Sequence, residues 1–319
     1  MQVLLLTSFA TLSFAHPVDE ARFFRLVNLF FALIAASGIL QFVVQFAGVS
    51  IFTFSEFLPK AMLFEVGYNL KIMAGVGNLF KSNGFFLIEP SVFSQFMALA
   101  LIIEIMAFGR LGYLALFLGG LLLSLSGTGW LVIAGFVVAT GIGMGGRGLI
   151  IALGTLLFLT LALTAALFLA PDLAEGVTDR LDEVTRPGTS GHNRFVTPFW
   201  VLSDVMGPDP VRLLVGIGAG VSERLNFTYE YDVNTPIKVA MEYGVPALIA
   251  YVLLFILGRR TTLQRVLVVP IFVLFFFAGG YQQFAPVLFP ILLIMSVARL
   301  SPASSTSYAA TATRAPAAA

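Results

Sequence analysis

The stretch from residue 171 to residue 235 concentrates the charged side chains of this chain. It holds 15 of the 35 charged residues, and each of its five basic residues is an arginine. A guanidinium group is planar and offers paired donors, so arginine suits bidentate binding of phosphate or carboxylate better than lysine does. The five are Arg180, Arg186, Arg194, Arg212 and Arg224. This pattern predicts a site for an anionic group.

A second candidate region is the sequence KSNGFFLIEPS, which runs from Lys81 to Ser91. Lys81 supplies a cation beside a flexible Ser-Asn-Gly turn. Glu89 and Pro90 stand where a new helix is expected to begin, because an acid complements a helix N-terminus and proline fits its first turn. A capping role for Glu89 is compatible with a place near a catalytic site.

The end of the long loop carries further polar candidates. The sequence GIGAG has neither the GxGxxG spacing nor the lysine of a nucleotide-binding loop, so Gly216 and Gly218 predict a tight turn or the wall of a phosphate or sugar pocket. Acids and amides follow at the entry to the next helix. The candidates for a base or for substrate contacts are His192, Glu230, Asp232, Asn234 and Glu242.

Composition assigns the chain to the all-α membrane proteins. With 58% hydrophobic and 11% charged residues, the 319-residue chain cannot hide its apolar surface in one soluble core. No cysteine is present, and the two histidines, His16 and His192, are far apart, so no zinc site is expected. The net charge of +1 argues against nucleic-acid binding. No cofactor is expected.

Apolar runs predict a polytopic bundle of eight or nine transmembrane helices in a single domain, residues 1–319. The runs cover about 23–49, 92–108, 111–125, 130–144, 149–170, 236–257, 266–278 and 286–298. Because successive spans cross in opposite directions, one side of the membrane receives all the arginines that flank them: 22, 25, 110, 147, 259, 260, 265 and 299. The positive-inside rule identifies that side as the cytoplasm. Residues 50–91 and 171–235 are then extracytoplasmic.

The N-terminal run, residues 1–15, imitates a signal peptide, but cleavage would invert every later helix and put the arginine clusters on the wrong side. We therefore reject cleavage and expect a chain that begins partway through a larger architecture. The loop is expected to contain short interfacial helices: one surface helix at 172–185, and one at 195–205 with Trp200 at headgroup depth. Residues 300–319 are expected to form a disordered cytoplasmic tail.

These motifs resemble the O-antigen ligase and polysaccharide polymerase superfamily of bacterial membrane glycosyltransferases. The stretches that carry the resemblance are KSNGFFLIEPSVFSQF, LSLSGTGWL, SGHNRFVTPFW followed by LLVGIGAG, and NTPIKVAMEYGVPALIAY. The resemblance covers the chain from its first full span to its last. It implies inverting, metal-independent transfer of a glycan from undecaprenyl diphosphate at the outer face of the inner membrane.

The resemblance also implies roles for individual residues. Arg194 matches the loop arginine of the family, and Lys81 stands where members often have arginine, so both are expected to neutralise the diphosphate. Arg186 and Arg212 are candidates for a third charge or for pairing with loop acids. Members of the family that are ligases carry a histidine immediately before the asparagine that corresponds to Asn234. This chain has Val233 at that position.

The loss of that histidine favours a polymerase of O-antigen, capsule or exopolysaccharide repeat units, with a ligase as the alternative. A transporter or flippase is an alternative of another class. A transporter site would need ionisable groups in the middle of the membrane, but the spans hold few of them, and Glu104 is expected near the helix end beside Arg110. The implied partners are lipid-linked glycans, membrane lipid, a chain-length regulator and a flippase.

Overall fold

The computed structural model describes residues 19–49, 52–59, 79–169, 185–207, 209–225, 234–256 and 262–277. Within these ranges the regular structure is helical, and no strand is formed. The predicted helix at 172–185, apart from Thr185, and the predicted helix at 286–298 lie outside the described residues, as do the N-terminal run and the C-terminal tail.

The described helices follow the apolar runs closely. They are α1 (Glu20–Val43), α2 (Pro90–Ala107), α3 (Leu111–Ser124), α4 (Gly127–Gly143), α5 (Gly145–Leu169), α6 (Ser190–Phe195), α7 (Thr197–Met206), α8 (Pro210–Val215), α9 (Thr235–Tyr243), α10 (Val245–Ile256) and α11 (Thr262–Phe277). Short 3₁₀ helices cover Val44–Ala47, Phe54–Phe57 and Ser222–Arg224.

Helix α2 is the centre of the bundle. Fourteen of its eighteen residues are buried, and α1, α3, α4 and α11 all pack against it. Glycine permits the closest approaches: a Cβ at Gly129 of α4 would lie 2.6 Å from the Ser94 carbonyl oxygen of α2. Residues Ala21–Ala47 and Pro90–Ala107 are long and apolar enough to cross a membrane, and α3 and α4 are shorter apolar helices.

Helices α1 to α4 run in alternating directions, so the bundle has two distinct ends. At one end, which we call the arginine end, Asn28 of α1 donates to Glu104 of α2, and Glu104 binds Arg110 at the start of α3. At the other, which we call the Lys81 end, Gln41 of α1 and Gln45 of the 3₁₀ turn that follows it bind residues 80–83. Arg110 and Lys81 therefore lie at opposite ends of the bundle.

The predicted span 236–257 is wrong as one helix. It divides at Gly244, which has φ +84° and separates α9 from α10. A Cβ at Gly244 would lie 2.3 Å from the Leu214 carbonyl oxygen, so the backbone of the loop packs into the break. A small second core joins α9 to α7; its buried members are Val201, Val205, Met206, Ile237 and Met241.

Candidate functional site

Lys81 is buried at the Lys81 end of the bundle, with 3% of its surface exposed. Among the described residues, its ammonium group has no hydrogen-bond or ion-pair partner. Removing a charge from water without a compensating group costs several kcal/mol or more in general. An arrangement of this kind favours an anion that arrives from outside the protein.

The backbone around Lys81 is fixed on both sides. The Ser82 amide donates to the Leu123 carbonyl oxygen at the end of α3, 3.1 Å away. Ser82 and Asn83 are fully buried, and Gly84 has φ +75° with its Cα against Phe93 and Ile34, where a Cβ would come within 3 Å. The cation is therefore held on a rigid segment.

Next to this segment, hydroxyl groups gather where α2 and α4 begin. Thr128 Oγ1 lies 3.0 Å from Ser94 Oγ and 3.2 Å from the Ser91 carbonyl oxygen. Pro90 occupies the first turn of α2, as the sequence predicts, and Glu89 is the N-cap residue. The Glu89 carboxylate makes no capping bond to the helix amides and accepts instead from the Ser91 hydroxyl.

A second group of polar residues surrounds Glu242, near the C-terminus of α9. Glu242 is buried, and its carboxylate accepts a hydrogen bond from Ser222. The amide of Gly218 donates to the Glu242 carbonyl oxygen at 3.1 Å. Gly216 has φ +73°, and a Cβ there would lie 2.4 Å from the same carbonyl oxygen. The GIGAG sequence thus forms a tight turn that touches Glu242 directly.

Asn234 is the N-cap of α9. Its Oδ1 accepts from the Ile237 amide at 3.2 Å, and the residue is buried. This bond gives Asn234 a structural role at the helix entry. Glu230 and Asp232 lie outside the described residues, so their predicted roles stay predictions.

His192 is on α6 and is buried. Its Nδ1 lies 3.1 Å from Thr197 Oγ1, and its ring meets the Trp200 ring edge-on at 5.1 Å. The interfacial helix predicted at 195–205 corresponds to α7, on which Trp200 is about half exposed. Arg194 lies on α6 two residues after His192.

The two remaining arginine candidates differ. Arg212 is exposed, and its side chain lies 3.5 Å from the Asp209 carboxylate and donates to the Val205 carbonyl oxygen. Of its two predicted roles, it therefore has the pairing with a loop acid. Arg186 is exposed, and its carbonyl oxygen accepts from Thr189. In the described part of the chain, no hydrogen bond of Lys81 or of the Glu242 carboxylate joins the two groups of candidates.

The sequence analysis missed three polar residues at these groups: Gln41, Gln45 and Ser222. Gln41 and Gln45 stand four residues apart in an apolar run, and paired amides in a spanning segment were a usable signal. Ser222 had no such signal, because its partner Glu242 lies 20 residues further on. Within the described ranges, no three acidic or histidine side chains are grouped as a metal site would need.

The chain was compared with known proteins. No curated protein and no solved structure matches it. A protein-family model, described as WcaD colanic acid polymerase, matches residues 1–219. The match includes Lys81 and Arg194 and ends before Ser222 and Glu242. It confirms the resemblance to membrane polysaccharide polymerases. The chain therefore belongs to the WcaD colanic acid polymerase family, whose members are membrane enzymes of the glycosyltransferase type.

Proposed function

We propose that this chain polymerises undecaprenyl-diphosphate-linked oligosaccharide repeat units into an exopolysaccharide at the outer face of the bacterial cytoplasmic membrane. One observation carries the proposal: Lys81 is a buried cation without a partner among the described residues, at the end of the bundle opposite Arg110. The match to a colanic acid polymerase family supports the polymerisation of repeat units.

The proposed reaction is a single displacement with inversion at the anomeric carbon. A hydroxyl oxygen of the acceptor sugar attacks that carbon and forms the new glycosidic bond. The bond between the anomeric carbon and the diphosphate oxygen breaks, and its electron pair leaves with undecaprenyl diphosphate. The hydroxyl proton passes to a base. Catalysis then needs cations at the leaving group and a base at the hydroxyl.

Lys81 is the proposed cation for the departing diphosphate. Negative charge develops on the leaving oxygen as the bond breaks, and a cation held in place stabilises that charge more than it stabilises the ground state. Arg194, one of the two cations that the resemblance assigns to the diphosphate, is the proposed second partner. Both fall within the matched residues 1–219.

Glu242 is the proposed base, and His192 is the other candidate. Glu242 is buried beside the Gly216–Gly218 turn, and a serine hydroxyl orients its carboxylate. We expect Glu242→Gln to slow polymerisation about 100-fold or more, because a missing general base typically costs that much. Turnover of lipid-linked repeat units by purified protein measures this. A normal rate in Glu242→Gln with a slow His192→Gln would transfer the role to His192.

The two ends of the bundle support the proposed placement in the membrane. Arg110 and Arg147 lie at one end, where the positive-inside rule puts the cytoplasm. Lys81, the hydroxyl cluster and the Ser126 turn lie at the other. The arrangement makes the site accessible to glycans that a flippase has already delivered across the membrane.

The proposal is tested by single Lys81→Ala and Arg194→Ala substitutions in a host whose exopolysaccharide depends on this protein. We expect the long chains to disappear while single lipid-linked repeat units accumulate, with the protein still present in the membrane fraction. Normal chain length in both variants would contradict the diphosphate site. Accumulation of long, unattached polymer would identify a ligase instead.

A further inference from the structure

Two glutamines of α1 hold the segment that carries Lys81. Gln41 and Gln45 are one helical turn apart on α1 and on the 3₁₀ turn that extends it. Gln45 pairs with both backbone groups of Phe80: Oε1 accepts from the Phe80 amide at 2.7 Å, and Nε2 donates to the Phe80 carbonyl oxygen at 3.1 Å. This side chain fixes the residue immediately before Lys81 as a neighbouring strand would.

Gln41 fixes the residues that follow Lys81. Its Oε1 accepts from the Asn83 amide and from the Ser82 hydroxyl, each at 3.0 Å. Its Nε2 donates to Asn83 Oδ1 at 2.7 Å and to the Phe52 carbonyl oxygen at 2.8 Å. The single Ser82 hydroxyl proton is shared between Gln41 Oε1 and the Gly38 carbonyl oxygen. Both donors of the carboxamide are occupied, its oxygen accepts from the Asn83 amide, and the residue is 3% exposed. A fully satisfied buried amide specifies one geometry strongly.

The shape of α1 makes this contact possible. Gly38, one turn before Gln41, accepts from Ser82 Oγ through its carbonyl oxygen at 2.9 Å. A Cβ at Gly38 would lie 2.8 Å from that hydroxyl oxygen and 2.5 Å from the Phe93 ring. Only glycine allows the helix to come so close to the segment.

The chemical nature of the contacts bears on Lys81. A segment of this kind could be anchored by aspartate or glutamate, but a carboxylate beside Lys81 would neutralise its charge. Amides and hydroxyls give the same fixation without a negative charge. The contacts therefore fix the backbone on both sides of Lys81 without placing a carboxylate beside its ammonium group, as far as the described residues extend.

We propose that Gln41 and Gln45 are positioning residues that hold Lys81 where the departing diphosphate binds. This inference rests on the proposed function of Lys81. It predicts that loss of either glutamine slows the reaction through Lys81, and that the same loss has no further effect once Lys81 is gone.

The test is a double-mutant cycle on purified full-length protein, with lipid-linked repeat units extracted from a host that lacks the polymerase. We expect Gln41→Ala and Gln45→Ala to lower kcat roughly 10- to 100-fold, because a shift of about 1 Å in a catalytic group has that effect. We expect Lys81→Ala to be at least as slow. The double variants with Lys81→Ala should be no slower than Lys81→Ala alone.

Ser37→Ala is the matched control on the same helix, because Ser37 is half-buried and its hydroxyl donates to the Leu33 carbonyl oxygen within its own helix. It should keep the normal rate. Normal rates in both glutamine variants beside a slow Lys81→Ala would overturn the positioning role and leave the proposed function standing. A further tenfold loss in the double variants would show a general structural role instead, which also overturns it.

Two outcomes remain distinct from these. A normal rate in Lys81→Ala would refute the proposed function itself. If Gln41→Ala does not fold, as a changed unfolding temperature would reveal, Gln45→Ala decides the question alone. It removes the pairing with Phe80 and a 3.5 Å bond to the Gln41 carbonyl oxygen, but leaves the contacts of the Gln41 side chain in place.

Discussion

Two buried charged residues at opposite ends of the bundle differ in their surroundings. Glu104 is fully buried and is bound by the Arg110 guanidinium at 2.7 and 2.9 Å, by the Arg110 amide and by Asn28. The hydrogen bonds to Glu104 raise the pKa of Arg110 above its usual range, so this cation is permanent. Lys81 has no such counterpart among the described residues. Glu104 therefore has a structural role, whereas the charge of Lys81 is available to bind an anion.

The contrast yields a stability prediction for Arg110. Arg110→Ala would leave the buried Glu104 carboxylate without its ion partner, and we expect a loss of about 3 kcal/mol in the free energy of unfolding. Arg147→Ala is the control, because Arg147 is exposed at the same end and surface substitutions usually change stability by no more than about 0.5 kcal/mol. Thermal unfolding in detergent compares them. Equal unfolding temperatures would refute the structural role.

Side-chain types and spacing predicted part of this residue-scale picture. The proximity of Glu104 to Arg110 could be predicted from the sequence, because the two residues are six positions apart and flank the same helix end. The resemblance singled out Lys81, but the burial of its segment depends on Gln41, Gln45 and Leu123, which are far from it in sequence. No local pattern encodes such contacts. The burial of His192 escaped prediction for the same reason, since it depends on how α6 packs.

At the scale of elements, the apolar runs predicted most helices to within a few residues of their observed ends. Helix α2, predicted from residue 92 to 108, forms from Pro90 to Ala107. The break at Gly244 was missed, because the apolar pattern continues from α9 into α10 without interruption. The break is stabilised by the loop backbone at Leu214, which approaches Gly244 from about 30 residues earlier. A tertiary contact of this kind overrides a local periodicity.

The glycine turn beside Glu242 gives an element-scale prediction. Gly216 and Gly220 both have positive φ, but a Cβ at Gly216 would meet the Glu242 backbone at 2.4 Å, whereas nothing lies within 4 Å at Gly220. We expect Gly216→Ala to displace the end of α9 and to abolish most of the turnover. Gly220→Ala should cost only about 1 kcal/mol of backbone strain. Similar turnover in the two variants would show that the turn does not position Glu242.

At the scale of the whole molecule, the account requires the two ends of the bundle to face opposite sides of a membrane. The chain has no cysteine, so single introduced cysteines can be labelled without background. Leu111 is exposed at the arginine end, and Pro187 is exposed in the long loop. We expect an impermeant maleimide to label Pro187→Cys on intact cells, and Leu111→Cys only after permeabilisation. The reverse pattern would invert the proposed orientation.

The central claim is that Lys81 receives the departing diphosphate, and binding of the reaction product tests it most directly. The measurement is the Kd of undecaprenyl diphosphate for purified wild-type protein, for Lys81→Ala and for the control Ser37→Ala. A hydrogen bond to a charged group contributes about 1.5–3 kcal/mol, so we expect Lys81→Ala to bind roughly 10- to 100-fold more weakly, with Ser37→Ala unchanged. Equal affinity in wild type and Lys81→Ala would contradict the account.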